Sequence, residues 1–396
     1  MSSTLTGPEP ELRRASSSPP PNPSRAADAG HIGVLDGIRG LAILMVMFNH
    51  YALNTRLSTP IDKAFYYTAK LGWMGVDLFF VLSGFLITGI LLNAKRKPHY
   101  FRNFYMRRTV RIFPLYYAFL AVVFLIIPRI TGYRSPELQH VDPYQTFYWT
   151  YLTNWFFAYK NEIPAFSHLW SLAIEEQFYL LWPAVVLVLS ERSLKRCALT
   201  CIAAALAFRL VCAWQHSGSI IPYVLTPMRM DTLAAGAYLV LRVREPDGLA
   251  RIQPLARYAA LSSIGVMAGI MIYQKGYGHT PLVTTAGFSC NAILACSVIA
   301  MSLAPADHPF LNRAFSTRTL QFFGKYSYCL YMVHMLVDET LAKRVNANTL
   351  APEVWGSALP GRLVFAGMCI GASVAIALVS WHAYEKQWLK LKRFFP

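Results

Sequence analysis

The chain has 396 residues, of which 55% are hydrophobic and only 14% charged, and its formal net charge is +17. Apolar runs of bilayer-spanning length recur from end to end, which excludes an ordinary soluble domain. The positive excess would suggest nucleic acid in a soluble protein, so its distribution along the chain has to be read first.

Residues 1–31, with Ser16-Ser17-Ser18-Pro19-Pro20-Pro21, lack the apolar density to build a core and are expected to form a disordered cytoplasmic tail. No signal-peptide pattern precedes the first hydrophobic segment. From residue 32 to 396 the pattern predicts one all-α integral membrane domain of about ten transmembrane helices. They are placed at 33–54, 73–94, 112–129, 166–190, 197–215, 222–241, 256–274, 281–304, 320–341 and 362–384.

An even number of spans puts both termini on one side. The tail and the connections on its side hold 24 of the 37 Lys and Arg, the opposite loops hold 10, and three (Arg39, Arg209, Arg229) lie inside spans. The positive-inside rule makes the termini cytoplasmic. The excess charge then marks a membrane face in contact with lipid headgroups, and no nucleic-acid partner is expected.

Span one carries Asp36, Arg39 and His50. At about 100° per residue the eleven-residue step from Arg39 to His50 closes roughly three turns, so both side chains share a face, separated by about 16 Å of rise. Ionisable groups at such depth are costly and usually face a protein-lined cavity, although an interfacial Asp-Arg pair with a terminal His is the plain alternative. Span two opens Trp73-Met74-Gly75-Val76-Asp77 and places Asp77 at the level of His50.

Between spans two and three, Phe101 to Tyr116 alternates aromatics with arginines. This is a basic amphipathic segment at the cytoplasmic surface, either an anchor on anionic lipid or, through Arg108 and Arg111 at i and i+3, a grip on phosphates. The long outer loop, about 130–165, is rich in Tyr, Trp and Asn; such loops often line binding sites, though a long loop is also simply a loop. It leads into span four, where His168, Ser171, Glu175 and Phe178 fall on one face, with Glu175 roughly 10 Å deeper than His168. Two adjacent glutamates, Glu175 and Glu176, are hard to explain inside a span on structural grounds.

Span six holds Arg229 and Asp231, an internal ion pair or a ligand contact. Spans seven and eight are comparatively featureless. Span nine contains Tyr331 and His334, and a lone His in a span is more often a hydrogen-bonded core residue than a catalyst. The seven cysteines show no CxxC pair or His/Cys ligand spacing, so no disulfide and no metal site are expected.

Sorted by depth, Arg39, Arg108 and Arg111 lie toward the cytoplasm, and His50, Asp77, His168, Glu175, Asp231 and His334 toward the outside. Guanidinium groups suit phosphates, whereas imidazole and carboxylates suit proton transfer. A donor with phosphates at one end and a reactive group on a long arm fits that separation, as coenzyme A does.

The chain resembles the acyltransferase-3 family of integral membrane O-acyltransferases, which modify bacterial surface polysaccharides, peptidoglycan and some secondary metabolites. The likeness extends over about residues 31–390. It is carried by Arg39-x10-His50, Gly72-Trp73-x-Gly75-Val76-Asp77 through Gly84, Arg108-x-x-Arg111, Ser171-x-x-x-Glu175-Glu176-Gln177-Phe178-Tyr179, and Ser327-Tyr328-x-Leu330-Tyr331-x-x-His334.

The resemblance implies a multi-pass protein of the bacterial inner membrane that uses acyl-CoA, most simply acetyl-CoA, as a donor substrate with no permanently bound cofactor. It implies an acceptor hydroxyl on an extracytoplasmic glycan or lipid-linked glycan. Arg39, Arg108 and Arg111 would bind the donor. His50 would act as general base or acyl carrier, with Asp77 or Glu175 orienting its ring, and His168, Arg229, Asp231, Tyr331 and His334 would meet the acceptor. Some relatives add an SGNH hydrolase-like domain; with the chain ending at Pro396, direct transfer or a separate partner enzyme is expected.

Two readings from other classes stand beside this one. A proton-coupled membrane transporter also needs buried His, Asp, Glu and Arg, though paired helix breaks in two halves are not visible. A non-catalytic scaffold gives no reason for so many charges in the spans.

Overall fold

The computed structural model describes residues 33–52, 56–132, 135–215, 219–274 and 280–396. The tail of residues 1–31 therefore lies outside the described residues. Among these residues ten helices of 15 residues or more match the ten expected spans in order. They are α1 (Gly33–Tyr51), α2 (Met74–Ala94), α3 (Tyr100–Ala121), α4 (Leu169–Val188), α5 (Glu191–Gln215), α6 (Thr226–Val243), α7 (Gly248–Gln274), α8 (Phe288–Ser302), α9 (Arg318–Ala342) and α10 (Leu359–Ser380).

Seven helical stretches are long and apolar enough to cross a membrane on their own. The other three, α1, α6 and α9, carry the polar residues that lower their apolarity, and they are packed among their neighbours. Charges in a membrane protein are tolerated where protein rather than lipid surrounds them. The helices that turn outward are the uninterrupted apolar ones, as Leu199, Phe208, Leu210 and Val211 on α5 and Leu261, Ile264 and Ile272 on α7 illustrate.

Two glycine contacts set the register of the centre. A Cβ on Gly40 of α1 would lie 1.9 Å from the Leu320 carbonyl oxygen, and one on Gly324 of α9 would lie 1.8 Å from that of Asp36, so these backbones touch. Likewise Gly84 of α2 and Gly236 of α6 each meet the other helix's carbonyls at 1.9 Å. Small residues of this kind let membrane helices approach closely.

Two segments depart from expectation. The basic stretch from Tyr100 is the first part of α3, which runs without a break through Arg108 and Arg111 into the apolar span. The helix therefore begins at Tyr100, well before the start expected at residue 112. The loop between α3 and α4 does not stay outside either: it folds into short helices, Pro136–Val141, Gln145–Trp149 and Thr153–Lys160. Between the last two, Tyr151 sits in the left-handed region (φ 54°). Its carbonyl accepts from Gln177 Nε2 at 3.0 Å. Since Gln177 is eight residues along α4, the turn reaches about 12 Å in from that helix's start. Its aromatics pack on α3, Tyr151 stacking on Tyr116 with ring centroids 4.0 Å apart.

Candidate functional site

Two clusters of polar residues occupy the bundle, and they differ in how their charges are satisfied. The first begins with α1 and α9. These helices run parallel and touch at Gly40 and Gly324, and ten residues further along each lies a histidine. Equal steps of about 15 Å bring both to one level. Accordingly His50 and His334 meet, Nδ1 to Nε2, at 3.3 Å, with ring centroids 4.9 Å apart.

The hydrogen bonds fix the tautomers. His334 Nδ1 lies 2.8 Å from the Tyr331 carbonyl, and His50 Nδ1 lies 2.9 Å from that of Val46. A carbonyl only accepts, so both Nδ1 atoms carry hydrogen. His334 Nε2 is then an acceptor, and it can share the His50 Nδ1–H. His50 Nε2 is left with a bare lone pair, and the residue is half-buried. That is the arrangement of a base.

His168, at the start of α4, packs its ring on His334 at 5.1 Å. Below it the hydroxyls of Ser171 and Tyr331 lie 2.6 Å apart. Both also reach the His168 carbonyl, at 3.1 and 3.0 Å.

On the other side of this Ser171–Tyr331 layer is a cavity with about 760 Å³ of empty space. Arg39, Arg108, Arg111, Glu175, Glu176 and Tyr179 line it, and the layer closes one end. Arg39 is steadied by Asp36, Nη1 to Oδ1 at 2.9 Å. Glu175 accepts from Ser83 Oγ at 2.5 Å, and Ser83 in turn lies 3.0 Å from the Tyr179 hydroxyl. The Arg108 guanidinium stands over the Tyr179 ring, 5.3 Å from its centre. Arg111 is exposed within the cavity, and neither Arg108 nor Arg111 forms an ion pair with a described carboxylate.

The second cluster is closed on itself. Asp77 of α2 is bound by Arg229 of α6 and by Asn291 Nδ2 of α8, the latter at 2.5 Å. Asp231 pairs with Arg209 of α5 at 2.6 Å. Arg209 also donates to the Met228 carbonyl and to Ser289 Oγ, and Arg229 stands over Phe288 at 4.0 Å. All four charged side chains are at most 2% exposed.

The structure thus redistributes the candidates. It brings Arg39, Arg108, Arg111, Glu175 and Tyr331 onto one cavity, and His50, His168 and His334 into one group of rings. Asp77 is corrected: its carboxylate is held by Arg229 and Asn291, and it does not orient His50. Glu175 is corrected in the same respect, since it binds Ser83 on the arginine side. A backbone carbonyl and a neutral imidazole hold His50 instead.

Arg229 and Asp231 are corrected too, because they belong to the closed network rather than to a ligand surface. They do not pair with each other, since residues two apart on a helix point to different neighbours. Span eight is not featureless, for it supplies Asn291. The long outer loop supplies no cavity residue. His50 is likewise absent from the wall of this cavity; Ser171 and Tyr331, which line it, also bond the carbonyl of His168, whose ring packs on His334.

Sequence reasoning missed Arg209, Ser83 and Asn291. A signal for Arg209 existed: it is an interior cation with no acid within a turn of it on its own helix, so an acid from another had to meet it.

Comparison with known proteins bears on this pairing of a basic cavity with a histidine group. The family described as "Acyltransferase domain", acyltransferase-3, matches residues 32–382. The chain belongs to this family. It is 30% identical over 351 residues to the peptidoglycan O-acetyltransferase OatA of Listeria monocytogenes, covering 83% of this chain and 52% of that protein. It is 28% identical over 326 residues to the O-acetyltransferase OatA of Staphylococcus aureus, covering 76% and 49%. The chain thus spans about half the length of the curated relatives it matches. No solved structure matches it. Every site residue discussed above lies within the stretch matched by the family.

Proposed function

We propose that this chain is a membrane O-acyltransferase of the bacterial inner membrane. In this reading it takes an acyl group, acetyl by analogy with the relatives, from acyl-CoA at the basic end and passes it to a hydroxyl of an envelope glycan at the opposite end. The observation that carries the reading is the meeting of three arginines in one cavity, two without a carboxylate partner among the described residues, with only the Ser171–Tyr331 layer between them and a histidine whose Nε2 is left unprotonated. Unpaired guanidinium groups suit phosphates, and a bare imidazole nitrogen suits a hydroxyl proton.

In the chemistry this implies, the donor's phosphates rest against Arg108 and Arg111, and its thioester arm extends past Tyr331. The acceptor hydroxyl gives its proton to His50 Nε2 as its oxygen bonds to the thioester carbonyl carbon. The C–S bond then breaks, and the departing thiolate takes the proton from His50. His334 holds the ring in the tautomer that leaves Nε2 free. Movement of the Tyr331 ring away from Ser171 is required for the two halves to communicate. Glu175, through Ser83 and Tyr179, shapes the wall beside Arg108.

The test uses proteoliposomes with acetyl-CoA on the basic side and soluble peptidoglycan fragments on the other. Ester formation on the fragments, lost in His50→Gln, is expected. Solute uptake without thioester consumption would replace this reading with a proton-coupled transporter.

A further inference from the structure

After α10 the chain continues through helical turns, Trp381–Glu385, Lys386–Leu389 and Lys390–Phe394, that fold beneath α3. Three contacts hold this segment. The Tyr384 hydroxyl donates to the Pro114 carbonyl at 3.2 Å, Asn103 Nδ2 donates to the Pro396 carbonyl at 2.7 Å, and the Arg102 guanidinium lies 5.6 Å from the Phe395 ring centre. They bracket the stretch of α3 from residue 103 to 114, and so lay the turn Lys390–Phe394 beside Arg107, Arg108 and Arg111.

The basic residues of the segment are treated unequally. Lys386, Lys390 and Arg393 are exposed, whereas Lys392 is half-buried. Lys390 is occupied by Gln387 Oε1 at 2.6 Å. Lys392 stands close enough to Arg107, Arg108 and Arg111 for all three charges to act on it. Among the described residues no carboxylate forms an ion pair with any of these four cations. Glu385, the acid on this segment, accepts from Ser380 Oγ at 2.9 Å. A lysine beside three arginines is repelled by each of them; Glu385 and, for Arg108, Glu175 and Glu176 offset part of that repulsion without pairing, and a bound anion would offset the rest.

We propose that Lys392, with Arg107, Arg108 and Arg111, forms a site for a phosphate monoester at the basic end of the cavity. This rests on the acyl-CoA reading and deepens it: Lys392 and Arg107 would hold the 3′-phosphate on the donor's ribose against Arg108 and Arg111, and the diphosphate would run on from that pair toward Arg39 in the cavity. Lysine suits this task, since its ammonium is a compact charge that meets a tetrahedral phosphate without a fixed fork. The site would thus distinguish coenzyme A from dephospho-coenzyme A. The same chemistry could be met by the phosphate of an anionic lipid.

Binding of coenzyme A and dephospho-coenzyme A to the full chain separates these sources, measured in nanodiscs of phosphatidylcholine alone and with phosphatidylglycerol added. For Lys392→Ala in neutral nanodiscs, coenzyme A affinity is expected to fall ~10-fold while dephospho-coenzyme A affinity stays unchanged. Lys392→Arg should retain most of the affinity. An equal loss for both nucleotides, or no loss for either, would overturn the site. So would an effect of Lys392→Ala confined to phosphatidylglycerol binding, which would assign the lysine to lipid. If the unaltered chain bound neither nucleotide, the donor reading itself would fall, an outcome distinct from a wild-type-like Lys392→Ala variant.

Discussion

The cavity of Arg39, Arg108 and Arg111 and the network of Arg209, Arg229, Asp77 and Asp231 are built from the same residue types inside the same bundle. In the network each guanidinium finds a carboxylate on a different helix, Asn291 adds a bond to Asp77 and Ser289 one to Arg209, and the side chains are shut off from solvent. In the cavity Arg108 and Arg111 face empty space, and the nearby Glu175 is engaged by the Ser83 hydroxyl. A buried charge with a matched partner holds helices together; one held in place without a partner awaits a ligand. Neither residue type nor depth separates the two cases. The partner does.

Substitutions should divide along that line. The largest effect on chemistry is expected at the histidine group: His50→Gln should lower acyl transfer by about 10²- to 10⁴-fold while the protein stays folded in detergent, as size-exclusion chromatography would verify. Full activity would remove His50 from the chemistry and leave the closed network as the sole ordered polar feature with a clear role.

Asp77→Ala should do the reverse. It strands Arg229 without its counter-charge, an uncompensated burial that costs roughly 3–5 kcal/mol, so the yield of folded protein and its thermal midpoint should drop. A stable Asp77→Ala protein that bound donor normally yet transferred nothing would break the comparison, for it would return Asp77 to catalysis.

At Arg111 the expected change is in donor affinity alone. Arg111→Ala should raise the KM for acyl-CoA roughly 10- to 100-fold, the worth of a charge-assisted hydrogen bond, with an unchanged thermal midpoint. A destabilised protein would mean that Arg111 has a hidden structural partner. The smallest effect is expected at His334, where His334→Ala should slow transfer only about 2- to 10-fold, because Val46 still holds the His50 ring. Steady-state rates that separate kcat from KM would verify that the loss lies in kcat.

Much of this was legible before any coordinates. Helical periodicity put Arg39 and His50 on one face, apolar runs located the ten helices in order, and the place of Arg108 and Arg111 at the start of a span was readable from the sequence. The outer loop stayed open between two readings because its aromatics suit a binding surface and a packed turn equally well. Asp77 was misassigned because depth along a helix does not say which neighbour lies across from it.

The amino-acid order alone determined what is local: which segments are helical, which of their faces are polar, and at what height each charge stands, since rise and rotation per residue are constant. Which charge meets which was decided by tertiary structure. The close approach of Gly40 to Gly324 set His50 beside His334, and that of Gly84 to Gly236 brought the helices bearing Asp77 and Arg229 together. The crossing of α4 and α9 put Ser171 and Tyr331 between the arginines and the imidazoles. Such pairings depend on how helices rotate against each other, and no periodicity within one helix encodes that.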